Sequence, residues 1–240
     1  MRVLVISDIH ANVSALDAVL AKAGEVDAVW CLGDIVGYGP DPNECIARLK
    51  SLSNLVCLQG NHDAAATGDL PLEGFNAEAR SSIEWLRGAL SSEPFDFLKG
   101  LAPRREAAGV TLAHASPRHP ILEYLLDTYS AAENFPYFGT DFCFVGHTHI
   151  PVLFFLDKQG VNLQIPNPNN KFTLKRRCIA NPGSAGQPRD RDARAAYAIF
   201  DDQSNSWDYR RVEYDIHSVQ QRMISAKLPE RHISRLAGGW

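Results

Sequence analysis

Arg2-Val3-Leu4-Val5-Ile6-Ser7-Asp8-Ile9-His10 sets a pattern that the chain repeats. Its short, β-branched apolar run reads as a buried strand, and the run ends on Asp8 and His10. The plan returns at Val29-Trp30-Cys31-Leu32-Gly33, which leads to Asp34. It returns again at Val56-Cys57-Leu58-Gln59-Gly60, which leads to Asn61-His62-Asp63. Between these runs, Val13, Leu16 and Leu20 follow helical spacing. Asp41-Pro42-Asn43-Glu44 reads as a helix start, with Asp41 as N-cap, Pro42 first and Glu44 closing a capping box. The βαβαβ alternation predicts a parallel sheet with helices on its faces, an α/β fold. Neighbouring parallel strands would carry Asp8, Asp34 and Asn61 to one sheet edge, where such folds gather groups from distant segments.

Beyond Asp63 the pattern changes. Residues 63–100 read as helix and loop, with Ala77 to Leu90 the clearest helix. Strands resume at Val110 to Ala113, which runs into His114. After a helical stretch near Ile121 to Ala132 they continue at Phe142 to Val145, which runs into Gly146-His147-Thr148-His149. From there Val152 to Leu156, Phe172 to Ile179, Ala196 to Phe200 and Tyr209 to Val212 read as successive strands, predicting a second, mostly antiparallel sheet packed on the first. His217 to Leu236 reads as one or two helices. The simplest organisation is one domain over 1–215 with a helical tail over 216–240. The helical insert 64–104 either caps the polar edge or merely crosses over.

The clusters hold five of the eight histidines. Imidazole and carboxylate donors together suit borderline divalent ions such as Mn²⁺, Fe, Co²⁺, Ni²⁺ or Zn²⁺. No cysteine belongs to a cluster, which tells against a structural thiolate zinc site. Two ions need a shared ligand; Asp34, central in the set, is the natural bridging carboxylate. Glycine before Asp34, Asn61 and His147 lets the backbone turn sharply or approach a ligand closely.

The ordered series Asp8-x-His10, Gly33-Asp34, Gly60-Asn61-His62-Asp63, His114 and Gly146-His147-Thr148-His149 resembles the calcineurin-like metallophosphoesterase superfamily over roughly residues 8 to 149. Asn181-Pro182-Gly183-Ser184-Ala185-Gly186-Gln187-Pro188-Arg189 is similar to its bacterial branch, often grouped with diadenosine tetraphosphatases and Ser/Thr protein phosphatases. The resemblance implies a four-layer αββα sandwich of two mixed sheets flanked by helices. It also implies two divalent ions, Mn²⁺ foremost, and hydrolysis of a phosphodiester, nucleotide or small phosphate ester by a metal-bound hydroxide. By position, Asp8, His10, Asp34 and His149 would hold one ion, and Asp34, Asn61, His114 and His147 the other. Asp8 and Asp34 would be ionised, since nearby cations favour the charged form. His62 would face the substrate as the catalytic histidine.

One departure matters. Protein Ser/Thr phosphatases of this family carry Gly-Asp-x-x-Asp-Arg-Gly where this chain has Gly33-Asp34-Ile35-Val36-Gly37-Tyr38-Gly39. Gly37 replaces the aspartate that orients the catalytic histidine, and Tyr38 replaces a phosphate-gripping arginine. A protein phosphatase-like phosphomonoesterase is thus the alternative reading, beside a non-catalytic metal-binding scaffold. Arg189, Arg191 or Arg194 would restore a substrate-binding charge, Arg189 first. Asp63 reads as a turn or N-cap residue. Pro182-Gly183-Ser184 reads equally as a plain turn or as part of the site.

The net charge of −4 tells against nucleic acid or an anionic membrane as the main partner. No run reaches the ~20 apolar residues of a membrane span, and Val3 to Ile6 is too short for a signal peptide. The five widely spaced cysteines read as buried free thiols, which suits the cytoplasm. The basic run Lys175-Arg176-Arg177 reads as an exposed strand face. Oligomeric state stays open, a homodimer included.

Overall fold

The computed structural model describes all 240 residues, Met1–Trp240. Twelve strands form two mixed six-stranded sheets. The first sheet begins with β1 (Arg2–Ile6), β2 (Ala28–Cys31) and β3 (Leu55–Cys57), paired in parallel. The second contains β4 (Arg104–Ala107), β5 (Val110–Ala113), β6 (Phe142–Phe144), β7 (Pro151–Asp157) and β8 (Gly160–Gln164). Of the remaining strands, β9 (Lys171–Thr173), β11 (Ala195–Asp201) and β12 (Ser206–Val212) complete the first sheet, and β10 (Cys178–Pro182) the second.

Strand periodicity explains the layers, because successive side chains point to opposite faces. Val3, Val5, Trp30 and Phe200 of the first sheet meet Leu112, Phe144, Leu153 and Ala180 of the second in a shared core. The alternate residues Leu4, Ile6, Val29, Cys31 and Tyr197 face outward into a second core. There α1 (Val13–Ala23) and α2 (Pro42–Lys50) cover them with Leu16, Val19, Ile46 and Leu49. Cys143, Val145, Phe154 and Ile179 form the outer face of the second sheet, under α6 (Thr128–Ala132) and the nearby Phe135 and Phe138. The result is the expected αββα sandwich. Between β3 and β4 lie α3 (Asn61–Ala66), α4 (Ala77–Ala89) and α5 (Ser92–Lys99). Two helices end the chain, α7 (Ile216–Ser225) and α8 (Glu230–Gly238). All five cysteines are buried and free.

Five expectations need correction. The late strands do not form one second sheet: β11 lies antiparallel beside β1 in the first, and β12 and β9 follow it. Apolar patterning reports burial, and it is silent about which neighbour a strand finds. Phe172 to Ile179 is two strands in different sheets, joined by a crossing segment. The basic run lies in that crossing, where Arg177 donates to the carbonyls of Phe138 and Thr140, both at 2.9 Å, and stacks 4.4 Å from the Phe138 ring.

The helix expected near Ile121 shrinks to α6. Before it, Pro120 interrupts the backbone ladder, and the Glu123 carboxylate accepts from Ser116, Arg118 and Asn134 instead. Finally, Asp41 is the N-cap residue of α2 but makes no capping hydrogen bond. Its carboxylate is taken by Arg222 of α7, with both contacts at 2.8 Å.

Candidate metal centre

The C-terminal ends of β1, β2 and β3 deliver Asp8, Asp34 and Asn61, and those of β5 and β6 deliver His114 and His147. Backbone hydrogen bonds lace the loops together: Asp8 N to Gly33 O at 3.0 Å, His10 N to Asp34 O at 3.0 Å and Ala11 N to Ile35 O at 2.9 Å. Five of the candidate ligands adopt left-handed backbone: Asp8 (φ 54°), His10 (49°), Asp34 (50°), His147 (65°) and His149 (61°). Such φ values are uncommon outside glycine and concentrate where a structure holds strain for function. The glycines allow close approach. A methyl group at Gly60 would collide with the Asp34 carboxylate, and one at Gly146 with the Ser7 hydroxyl.

Two donor groups result. In the first, ligand atoms of Asp8, His10, Asp34 and His149 all lie within 4.8 Å of one another; Asp34, His114 and His147 form the second. Asn61 joins the latter, its Oδ1 lying 3.1 Å from His114 Nε2. The Asp34 carboxylate is common to both groups. Its Oδ2 lies 3.7 Å from His10 Nε2 and 3.6 Å from His114 Nε2, while its Oδ1 accepts from His62 N at 2.9 Å. Asp8 divides its oxygens similarly: Oδ2 accepts from His147 N at 3.0 Å, and Oδ1 lies 3.4 Å from His149 Nε2.

The other ring nitrogens are anchored outward. Nδ1 of His10 meets Val36 O at 3.2 Å, that of His114 meets Leu32 O at 2.8 Å, and that of His149 meets Gln187 O at 2.6 Å. Donation to a carbonyl fixes the tautomer and leaves Nε2 lone pairs aimed inward, the usual arrangement of metal-binding histidines.

The electrostatics fit cations. Burial pushes the Asp8 carboxyl up to about 7, and burial with neighbouring Asp63 pushes Asp34 well above the usual carboxylate range. Burial also holds the pKa values of His10, His62, His147 and His149 well below the usual imidazole range, helped by His149 at His10, by His114 at His147, and by Arg189 at His62 and His149. Asp8 Oδ1 and His147 Nε2 are buried without any hydrogen-bond partner. Unpaired buried polar atoms are costly. Divalent cations would satisfy them and favour the ionised carboxylates.

A cavity of about 400 Å³ opens over this edge. Asp34, Asn61, His62, His147, His149 and Arg189 form its polar side; Leu70, Pro71, Phe75, Leu122 and Tyr124 face them. His62 packs against Tyr38 at 4.3 Å and edge-on against Phe75 at 5.3 Å. Gly37 lies directly against His62 Nδ1, which is buried and unpaired, so no aspartate orients this ring. Arg189 Nη2 reaches the Tyr38 hydroxyl at 3.4 Å. Arg194 is instead paired with Asp192, and the Arg191 backbone N donates to Gly239 O.

The sequence reading left Asp63 out of the site and left the Pro182-Gly183-Ser184 stretch open between a turn and the site. Asp63 is fully buried, and its carboxylate accepts from Gly60 N at 2.9 Å, Val36 N at 3.0 Å and Ile35 N at 3.3 Å, clamping two metal-edge loops together. Its place three residues after Gly60 was the available signal. Asn181 to Gln187 buttresses the first donor group: Ser184 Oγ donates to Asp8 O at 2.8 Å, and Gln187 O meets His149.

Comparison with known proteins agrees with this arrangement. The calcineurin-like phosphoesterase superfamily domain matches residues 1–205. An uncharacterized protein of Methanocaldococcus jannaschii, MJ0912, is 38% identical over 235 residues, covering 95% of this chain and 94% of that protein. A symmetrical bis(5′-nucleosyl)-tetraphosphatase of Pseudomonas putida is 30% identical over 125 residues, spanning 48% of this chain and 42% of its own length. The crystal structure of a metallophosphoesterase from Sphaerobacter thermophilus superposes with a TM-score of 0.92 at 46% identity, covering 100% of this chain and 99% of that one. The fold also matches hypothetical protein PH1004 of Pyrococcus horikoshii, with a TM-score of 0.83 at 24% identity and coverage of 100% and 98%. Paired donor groups on a two-sheet sandwich, full-length relatives and a domain match over most of the chain agree: this is a metallophosphoesterase, a hydrolase belonging to the calcineurin-like phosphoesterase superfamily.

Proposed function

We propose that the chain uses two divalent cations to hydrolyse a small phosphate ester with an apolar or aromatic organic part. The observation that carries this reading is the Asp34 carboxylate, one oxygen of which faces His10 at 3.7 Å and His114 at 3.6 Å. Asp8, His10, Asp34 and His149 hold one ion; Asp34, Asn61, His114 and His147 hold the other. The mixed imidazole, amide and carboxylate set suits Mn²⁺ and also accepts Fe, Zn²⁺, Co²⁺ or Ni²⁺. When bound, such a pair supplies Lewis acidity and lowers the pKa of coordinated water.

The chain's own side chains do the rest. His62 faces the phosphoryl group or the leaving oxygen, and its neutral state lets it donate a hydrogen bond as charge develops. Arg189 supplies the positive charge that Tyr38 does not. The insert 64–104 contributes Leu70, Pro71 and Phe75 to the cavity wall and so helps select the ester. The volume and aromatic lining suit one nucleoside-sized group beside the phosphate. The symmetrical tetraphosphatases among the relatives favour a nucleotide or a phosphodiester over a phosphoprotein.

A substrate panel tests this: a chromogenic phosphodiester and monoester, nucleoside monophosphates, a dinucleoside tetraphosphate, cyclic nucleotides and a phosphopeptide, each with Mn²⁺, Zn²⁺ and Ni²⁺. Turnover of a diester or nucleotide, with the phosphopeptide untouched, is the expected result. Preference for the phosphopeptide would favour the protein phosphatase alternative, and inertness toward every ester would sink the proposal.

A further inference from the structure

The superfamily domain ends at residue 205, yet the chain continues past it into the α7–α8 hairpin. The α7–α8 hairpin lies against the back of the candidate metal centre. It is held there by the Arg222–Asp41 pair, by Arg222 Nη2 donating to Ser14 Oγ at 2.9 Å, and by Arg191 N donating to Gly239 O at 2.7 Å. Val219, Met223 and Leu236 close a small space beside His10 and Tyr38. His232 of α8 is buried and sets its ring edge-on to Tyr38, with centroids 4.6 Å apart and planes at 73°. Tyr38 in turn touches His62 at 4.3 Å and His10 at 4.6 Å, and its hydroxyl accepts from Arg189.

We infer that the hairpin is a working part of the site: His232 is a positioning residue that fixes Tyr38, and through it the substrate-facing His62 and Arg189. The inference rests on the phosphoesterase reading above. It follows from what surrounds Tyr38. The glycines on both sides of it, Gly37 and Gly39, offer no side chains to brace the ring. His62 Nδ1 has no hydrogen-bond partner to orient it. Packing therefore orients His62, and the chain of rings starts at His232. Burial and nearby Arg235 hold the His232 pKa down at about 4, so a neutral ring faces Tyr38 at physiological pH. His232 does not line the cavity itself, so its influence passes through Tyr38.

The test uses the full chain loaded with Mn²⁺ and the best ester of the panel. His232→Leu fills similar volume without an aromatic edge, and His232→Phe keeps that edge. With His62 loosened, kcat of His232→Leu should fall about tenfold to a hundredfold, while metal content stays at the parental level. His232→Phe should recover most of the loss. Equal kcat for parent and His232→Leu, both folded, would overturn the inference and leave the phosphoesterase reading intact. A parent inert with every ester would remove both. Should His232→Leu not fold, Arg222→Met loosens the hairpin from its other anchor and should lower kcat in the same way; parental kcat there would equally overturn the inference.

Discussion

The metal edge and the wall opposite it enclose one cavity and are built differently. Asp8, His10, Asp34, His147 and His149 are almost wholly buried, and each is fixed by hydrogen bonds to neighbouring loops. Across the cavity, Leu122 and Tyr124 are 54% and 50% exposed. The Glu123 carboxylate between them ties their loop to Ser116, two residues beyond His114. Phe75 likewise stands on an irregular segment between α3 and α4. A rigid polar edge suits chemistry that must hold several donors in register. A looser apolar wall on connecting segments suits the choice of ester.

The contrast can be broken or sharpened by experiment. Asp34→Asn should cut turnover by at least about 10³-fold, since it weakens both donor groups at once. Metal analysis should show ion loss in parallel; parental turnover would refute the shared-carboxylate reading. His62→Asn should lower kcat by roughly 10² to 10⁴ while metal content is kept, as the proposed division between a substrate-facing group and metal ligands requires. Asp63→Ala should weaken metal affinity about 10- to 100-fold. It should also destabilise the fold by about 1–3 kcal/mol through the backbone donors it leaves unpaired, as thermal unfolding would report.

The wall should respond more mildly. Tyr124→Ala should reduce kcat/KM for an aromatic ester by about threefold to tenfold, with aliphatic phosphate esters scarcely affected. An equal loss on both would mean that Tyr124, which stacks on His147 at 4.1 Å, serves the metal edge instead. The smallest effect concerns pH. Burial opposes ionisation of Glu123, but Arg118, Ser116 and Asn134 outweigh it and hold the carboxyl at about 2, below its ordinary 4.5. A depressed folded pKa contributes stability above about pH 4.5 that is lost as pH falls toward 2. Acid unfolding of Glu123→Gln should lack that component of the slope.

The same contrast decides what could be read before any fold was known. Asp8, Asp34 and Asn61 were legible because each polar residue ends an apolar run, and a run with its terminus is local information. Tyr124 was hidden because Leu122, Leu125 and Leu126 mimic helical spacing in a segment that Pro120 and Glu123 keep irregular. The edge strands β4 and β8 escaped because their exposed residues carry little apolar signal. Asp63 looked like a turn residue because two of its three partners, Ile35 and Val36, are far away in sequence. The seat of β11 beside β1 was equally hidden, since strand pairing over such separations depends on the whole topology.

The left-handed corners at Asp8, His10, Asp34, His147 and His149 carry a consequence for how this enzyme can change. Few side chains tolerate that backbone, and bulky branched ones tolerate it least. Exchanging a donor there incurs a conformational penalty on top of any lost coordination, so most routes that alter the candidate metal centre are closed to drift and to engineering alike. Variation is channelled outward, to residues 70–79 and 122–124. Directed libraries confined to those two segments should retune which molecules are cleaved without disturbing how they are cleaved.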